Sequence, residues 1–195
     1  MLTNNPCFCG SEKSFANCCQ VFIENNEIKA IYPEDPEQLM RSRFSAYALG
    51  NGQYIYDTYA KISQASQSVK EINDWGKSCT WIALKIHAIN NNSNTIYNEY
   101  SDQFVEFSAF YITNNTLCEL RENSRFILEH VSSNPVTLEN NAEERQNLQW
   151  RYIDGEIIEH SELKQIKRKD LCPCNNYPTA WSIKKGKKFK QCCDK

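Results

Sequence analysis

Eight of the ten cysteines in this 195-residue chain fall into two matching patterns, one at each end: Cys7-Phe8-Cys9 with Cys18-Cys19, and Cys172-Pro173-Cys174 with Cys192-Cys193. No other feature restricts the fold as tightly. Two thiolates one residue apart grip one side of an ion, and an adjacent pair returned by a loop completes a tetrahedron of four sulfurs. The alternative is a disulfide framework. Exported disulfide proteins begin with a charged and then apolar leader, whereas residues 1–10 read MLTNNPCFCG and hold no apolar core. No run approaches the ~18 apolar residues of a membrane span. The expectation is a cytoplasmic chain, in which clustered cysteines act as ligands more often than as bridges.

Four thiolates with no open position suit structural zinc, so two zinc ions per chain are expected, with iron on the same sulfurs as the second candidate. Such a site contributes folding free energy directly, on the order of 10 kcal/mol, and replaces an apolar core in a segment of a few turns. The backbone of Gly10 and Ser11 is placed to support the first set of sulfurs. Cys9 and Cys18 enclose eight residues, Cys174 and Cys192 seventeen, and in each case a phenylalanine, Phe15 or Phe189, stands three positions before the cysteine pair. The ends read as two copies of one module, the second with an insertion. Cys79 and Cys118 stand alone in apolar surroundings and read as small core residues.

Between the ends lie about 130 residues, a common single-domain size, and 41% hydrophobic and 12% aromatic content is enough for a real core. Pro36 opens a helical pattern in which Leu39, Met40, Phe44, Tyr47 and Ala48 recur at three- and four-residue spacing until Gly50 and Gly52. Shorter helices are expected over 53–60 and 69–76, the latter with Trp75 turned inward. From Trp81 the period changes, and strands are expected over 81–89, 104–111, 117–129 and 150–153, with Asn90 to Asn94 and Asn114-Asn115 as turns. Helices followed by a strand meander predict an α+β layer arrangement.

The run 36–47, PEQLMRSRFSAY, followed by Trp81, the VEFSAFY of 105–111, the ENSRF of 122–126 and the WRYIDG of 150–155, resembles the YchJ family of bacterial proteins over nearly the whole chain. The resemblance implies a curved antiparallel sheet covered by helices, cone-like and similar to nuclear transport factor 2, spanning 31–160. It also implies SEC-C metal knuckles at 1–24 and 165–195, with Cys7, Cys9, Cys18 and Cys19 as one ligand set and Cys172, Cys174, Cys192 and Cys193 as the other. In the preprotein translocase ATPase a similar motif binds zinc and contacts a chaperone. Three departures stand out: Phe8 replaces the family's proline, which alters packing and not ligation. Arg121 takes the place of a histidine, so an acid/base role for that histidine is absent here. Residues 132–147 extend a hairpin loop.

Charge is unevenly spread. From Lys164 to Lys195 ten Lys or Arg face only Asp170 and Asp194, a formal +8, which leaves −10 on the rest of a chain whose net charge is −2. A basic tail on an acidic body suits docking on a protein, the ribosome or RNA, with Trp181 and Phe189 among the lysines as stacking surfaces. Compensation of the bound thiolates by Lys184, Lys185, Lys187, Lys188 and Lys190, with those rings packing the knuckle, explains the same residues equally well. Against an enzyme, His87, His130 and His160 are dispersed, and no glycine-rich phosphate loop, HExxH helix or GxSxG elbow occurs. The sequence thus points to a zinc-binding interaction adaptor in protein targeting, quality control or ribosome association, with no catalytic residues assigned. The alternative is an enzyme or small-ligand-binding protein using a cone pocket onto which Tyr54, Tyr56, Asp57, Glu106, Arg121 and Glu122 would converge.

Overall fold

In the computed structural model, residues 5–24, 31–91, 102–130, 148–177 and 186–194 are described; the expectations on the 132–147 loop and on Trp181, Lys184 and Lys185 fall outside them. The longest helix, α2 (Pro36–Leu49), follows the four-residue α1 (Gln20–Ile23). Asp35 caps α2 by accepting the Gln38 backbone N–H at 2.8 Å, Pro36 fills its first turn, and Gly50 ends it in the left-handed region at φ 70°. All three are helix-boundary chemistry read directly from side-chain type.

The next helix, α3 (Gly52–Asp57), stops three residues short of the expected 60. The chain leaves the helix to pair with the sheet: Ala60 donates to the Tyr152 carbonyl at 2.8 Å, and the Tyr152 N–H returns to the Thr58 carbonyl at 3.0 Å. A tertiary contact overrides local propensity there. Beyond it come the single turn α4 (Lys61–Gln64), which the sequence reading did not anticipate, and α5 (Val69–Ser78), capped by Ser68. Trp75 on α5 is only partly inward. It remains 41% exposed, while its ring stands edge-on to Tyr47 and Trp81 at 5.1 Å from each.

Four antiparallel strands in meander order complete the layer: β1 (Thr80–Asn91), β2 (Gln103–Thr113), β3 (Thr116–His130) and β4 (Leu148–Gln165). The final strand is far longer than the expected 150–153. Its outer part, 154–165, is an exposed edge with no burial alternation to betray it, and it is held by register with β3. Register shifts at Leu117/Cys118, Arg121/Glu122 and Arg125/Phe126 bend this pair, as bulges do.

Strand alternation divides the side chains between two faces. Val105, Phe107, Ala109, Tyr111, Cys118 and Phe126 pack with Leu39, Met40 and Phe44 of α2, and this is the helix-covered core. On the other face Phe110, Ile112 and Leu117 meet Ile166 and the C-terminal cysteine cluster. Alternation sends Trp81 to the first core and Ile82 to the second, and the bulge between Trp81 and Ala83 puts Ala83 beside Ile82 in the second. Cys118 is a buried core residue as expected, whereas Cys79 is half-buried at the edge of that core.

Candidate metal centres and cavities

The two cysteine-rich ends have the same backbone design. In the first, Pro6 bridges Ser14, the Cys7 N–H donates to the Lys13 carbonyl at 2.8 Å, and a 3₁₀ turn over Phe15–Asn17 delivers Cys18. In the second, Leu171 bridges Lys188, the Cys172 N–H donates to the Lys187 carbonyl at 3.0 Å, and a 3₁₀ turn over Phe189–Gln191 delivers Cys192. Phe15 and Phe189 are both 1% exposed and anchor the turns. The duplicated module read from the sequence is present down to its hydrogen bonds.

All ten cysteines are free thiols, and within each set of four every Sγ lies within 4.8 Å of the others. The Cys9–Cys18, Cys18–Cys19, Cys174–Cys192 and Cys192–Cys193 separations are 3.7, 3.8, 3.4 and 3.7 Å. A disulfide needs about 2.05 Å. Four sulfurs at about 2.3 Å from a central zinc would stand about 3.8 Å apart, so the spacing fits a tetrahedral thiolate cage. Ionisation points the same way. Cys18 is pulled far below its ordinary value because the Cys19, Cys7 and Cys9 sulfurs bond to its anion, and Cys19 is pushed up by Cys18 in turn. In the second set burial and the neighbouring Cys172 and Cys192 push Cys174 up to about 12. Four crowded thiols cannot all ionise unaided, and a metal cation held among them would supply the missing charge.

Side chains and backbone both support the first cage. The Ser11 hydroxyl sits 3.1 Å from Cys18 Sγ, Ser45 Oγ on α2 lies 3.8 Å from Cys7 Sγ, and the Cys9 backbone N–H favours the Cys7 thiolate. Gly10, at φ 73°, donates to the Cys7 carbonyl and shapes the turn. Arg41, paired with Glu37, donates to the Cys9 carbonyl at 3.0 Å and pins this knuckle to α2. The second cage is seated on the sheet, where the Tyr177 ring lies tilted against Phe110 with centroids 4.8 Å apart.

The six polar residues expected to converge in one cone pocket do not. Glu106 pairs with Arg121 at 2.5 Å on the sheet face away from the helices, because both occupy the opposite strand parity from Phe107 and Glu122. Tyr54 and Asp57 line a separate cavity of about 350 Å³ beside α1. Tyr56 packs with Ile55 and Ile72. Only Glu122 faces the cone, where a cavity of about 120 Å³ lies among Arg43, Tyr59, Trp81 and Tyr152. Arg125, three residues on, bridges Asp102 and Asp154 and leaves Glu122 to other partners. Glu122 Oε1 accepts from Ser124 Oγ at 2.5 Å and the Tyr152 hydroxyl at 3.0 Å.

Two arginines were missed by the sequence reading. Arg43 is 4% exposed, donates to the Ile55 carbonyl and Thr58 Oγ1, and lies 4.5 and 4.6 Å from the ring centres of Tyr59 and Tyr152. Its signal was legible, since it sits four residues after Leu39 and four before Tyr47 on the apolar stripe of α2. Arg151, half-buried in the larger cavity, carried no such signal. The histidines remain apart: His87 contacts Ser108 at 2.7 Å, and His160 contacts the Tyr111 hydroxyl at 2.6 Å.

A helix-covered antiparallel cone of the nuclear transport factor 2 kind, flanked by two four-cysteine clusters able to hold metal, defines the class of protein. Family models agree, one for the YchJ middle NTF2-like domain over residues 35–155 and one for the SEC-C motif over residues 4–20. The chain belongs to the YchJ family. It is 30% identical over 187 residues to a UPF0225 protein of Enterobacter sp. (strain 638), covering 96% of each chain. Its identity to a UPF0225 protein of Vibrio cholerae is 33%, covering 96% of this chain and 98% of that one. The crystal structure of a SEC-C motif containing protein from Psychrobacter arcticus matches with a TM-score of 0.62 at 24% identity, over 100% of this chain and 98% of the other, and supports the fold. Among the described residues, no helix is long and apolar enough to cross a membrane.

Proposed function

We propose that this chain is a zinc-stapled interaction protein, in which Cys7, Cys9, Cys18 and Cys19 hold one ion and Cys172, Cys174, Cys192 and Cys193 a second. The observation that carries the reading is the pair of closed four-sulfur clusters, whose cysteines are buried but for the half-buried Cys18 and Cys193. A closed all-thiolate site leaves no position for substrate, so the metal's work there is structural. The units held are a knuckle at 1–24, the central cone at 31–160 and a knuckle at 165–195.

The second knuckle is the docking surface in this reading. Lys187, Lys188 and Lys190 are exposed on it, and Leu171, 56% exposed, bridges Lys188. An apolar spot among cations suits an acidic protein segment, including one on a ribosomal protein, more than a phosphate backbone alone. Elemental analysis of protein purified without added metal should return two zinc ions per chain and eight protected thiols. Fewer than two metal ions or cystines by mass spectrometry would overturn the cages, and iron in place of zinc would overturn the zinc assignment. Capture of partners from lysate should be lost when Lys187, Lys188 and Lys190 are changed to glutamate, and recovery that is unchanged, or abolished by nuclease treatment alone, would overturn the protein-docking role.

A further inference from the structure

The 350 Å³ cavity lies outside both the cages and the cone, at the seam where α1 of the first knuckle meets α3 and the start of β4. Its lining is mixed, with Phe22, Ile23, Leu39 and Trp150 giving an apolar wall and Gln53, Asp57 and Arg151 among the polar groups, and it falls in the size range of small-molecule sites. Into this space projects Arg151. A guanidinium has five N–H donors. Arg151 uses one on Gln149 Oε1 at 2.7 Å and one on the Trp150 carbonyl at 3.5 Å, leaving three without a partner among the described residues. No described carboxylate comes within 4.0 Å of it, in contrast to Arg41, Arg121, Arg125 and Arg168, each of which has an ion pair. Burial, through desolvation, lowers its affinity for its proton, with Glu129, Tyr32, Tyr54 and Asp57 acting in the opposite direction.

A half-buried guanidinium that turns donors toward a cavity of this size can receive an anion there. We propose that this cavity binds a small carboxylate with an apolar body, the carboxylate lying in the plane of the Arg151 guanidinium and the body against Phe22, Ile23, Leu39 and Trp150. The planar fork of arginine matches a carboxylate with two parallel hydrogen bonds. The apolar wall favours an organic acid over inorganic phosphate, because it gives the apolar body a surface that phosphate cannot use. Asp57 sets a second feature of the site. Its Oδ1 accepts from Gln53 at 2.7 Å, and its charge at the cavity wall opposes the ligand's. The site is therefore tuned to moderate affinity.

Calorimetric titration of the full-length metal-loaded chain with 3-phenylpropionate and with its neutral amide tests this, with the Trp150 indole N–H resonance reporting location. The acid should bind at least about tenfold more tightly than the amide, the worth of a charge-assisted pair. Arg151→Met should bring the acid down to the level of the amide, and Asp57→Asn should tighten the acid about two- to fivefold while leaving the amide unchanged. Should Arg151→Met fail to fold, the acid-to-amide ratio and the Asp57→Asn shift still decide. Equal affinities for acid and amide, no binding at millimolar concentration, or shifts confined to Trp75 and Trp81 would overturn the assignment. None of these outcomes depends on the zinc content or on the lysine-dependent capture.

Discussion

Gly155 shows how one position governs the cone. A Cβ there would meet Glu122 Oε1 at 2.1 Å and Glu122 Cγ at 2.9 Å, so the glycine makes room for the carboxylate that takes the Tyr152 and Ser124 hydroxyls. Gly155→Ala should destabilise the protein by about 1–3 kcal/mol through overpacking, read from the urea midpoint. In a Glu122→Ala background the same change should cost much less, because the clash has gone. Tyr152 should also respond: burial, reinforced by the Glu122 charge, holds its hydroxyl well above the ordinary tyrosine range. Loss of Glu122 should therefore bring its ultraviolet titration to lower pH.

Between strands, Arg125 on β3 joins Asp154 on β4 at 2.5 Å to Asp102, beside the start of β2, at 3.0 Å. Its hydrogen bonds hold the Asp154 carboxyl below its ordinary value. A depressed carboxylate stabilises the fold above its unfolded pKa and loses that contribution as pH falls through the folded value, here below about pH 4. Asp154 is more than half exposed, so solvent screening keeps the effect small. Arg125→Gln should flatten this part of the acid limb, as followed by urea midpoints between about pH 5 and pH 3. At the helix level, Asp35→Ala should cost about 1 kcal/mol by leaving the Gln38 N–H of α2 without its cap.

Across the whole molecule the two knuckles are not equivalent, although they share one backbone design. The first packs through Phe8 and Phe15 against Ala48 and Leu49 at the end of α2, forming a cluster of its own. The second forms a single core with Ile82, Phe110, Ile112 and Ile166 of the sheet and its exit. Breaking the second cage uncovers a sheet face, whereas breaking the first uncovers part of one helix. Cys174→Ser should therefore lower the melting temperature of the central domain more than Cys9→Ser does, while each variant retains one metal ion per chain. Equal shifts in a calorimetric scan would contradict this asymmetry.

Cysteine spacing, the phenylalanine before each pair, and Pro36 with Gly50 were enough to place both clusters and the principal helix, because those structures are made by near neighbours in the chain. What the sequence could not fix were contacts made across long separations. The pairing of Tyr152 with Thr58 and Ala60 truncated α3, and exposed residues 154–165 became strand only because β3 was there to receive them. Parity on a bent sheet sent Glu106 and Arg121 to one face and Glu122 to the other, dissolving the single polar pocket expected in the cone. Local chemistry determined the cysteine clusters and the ends of α2. The cavities and their unpaired arginine were decided by how the finished layers meet, since no residue's own propensity carries the shape of a gap between elements.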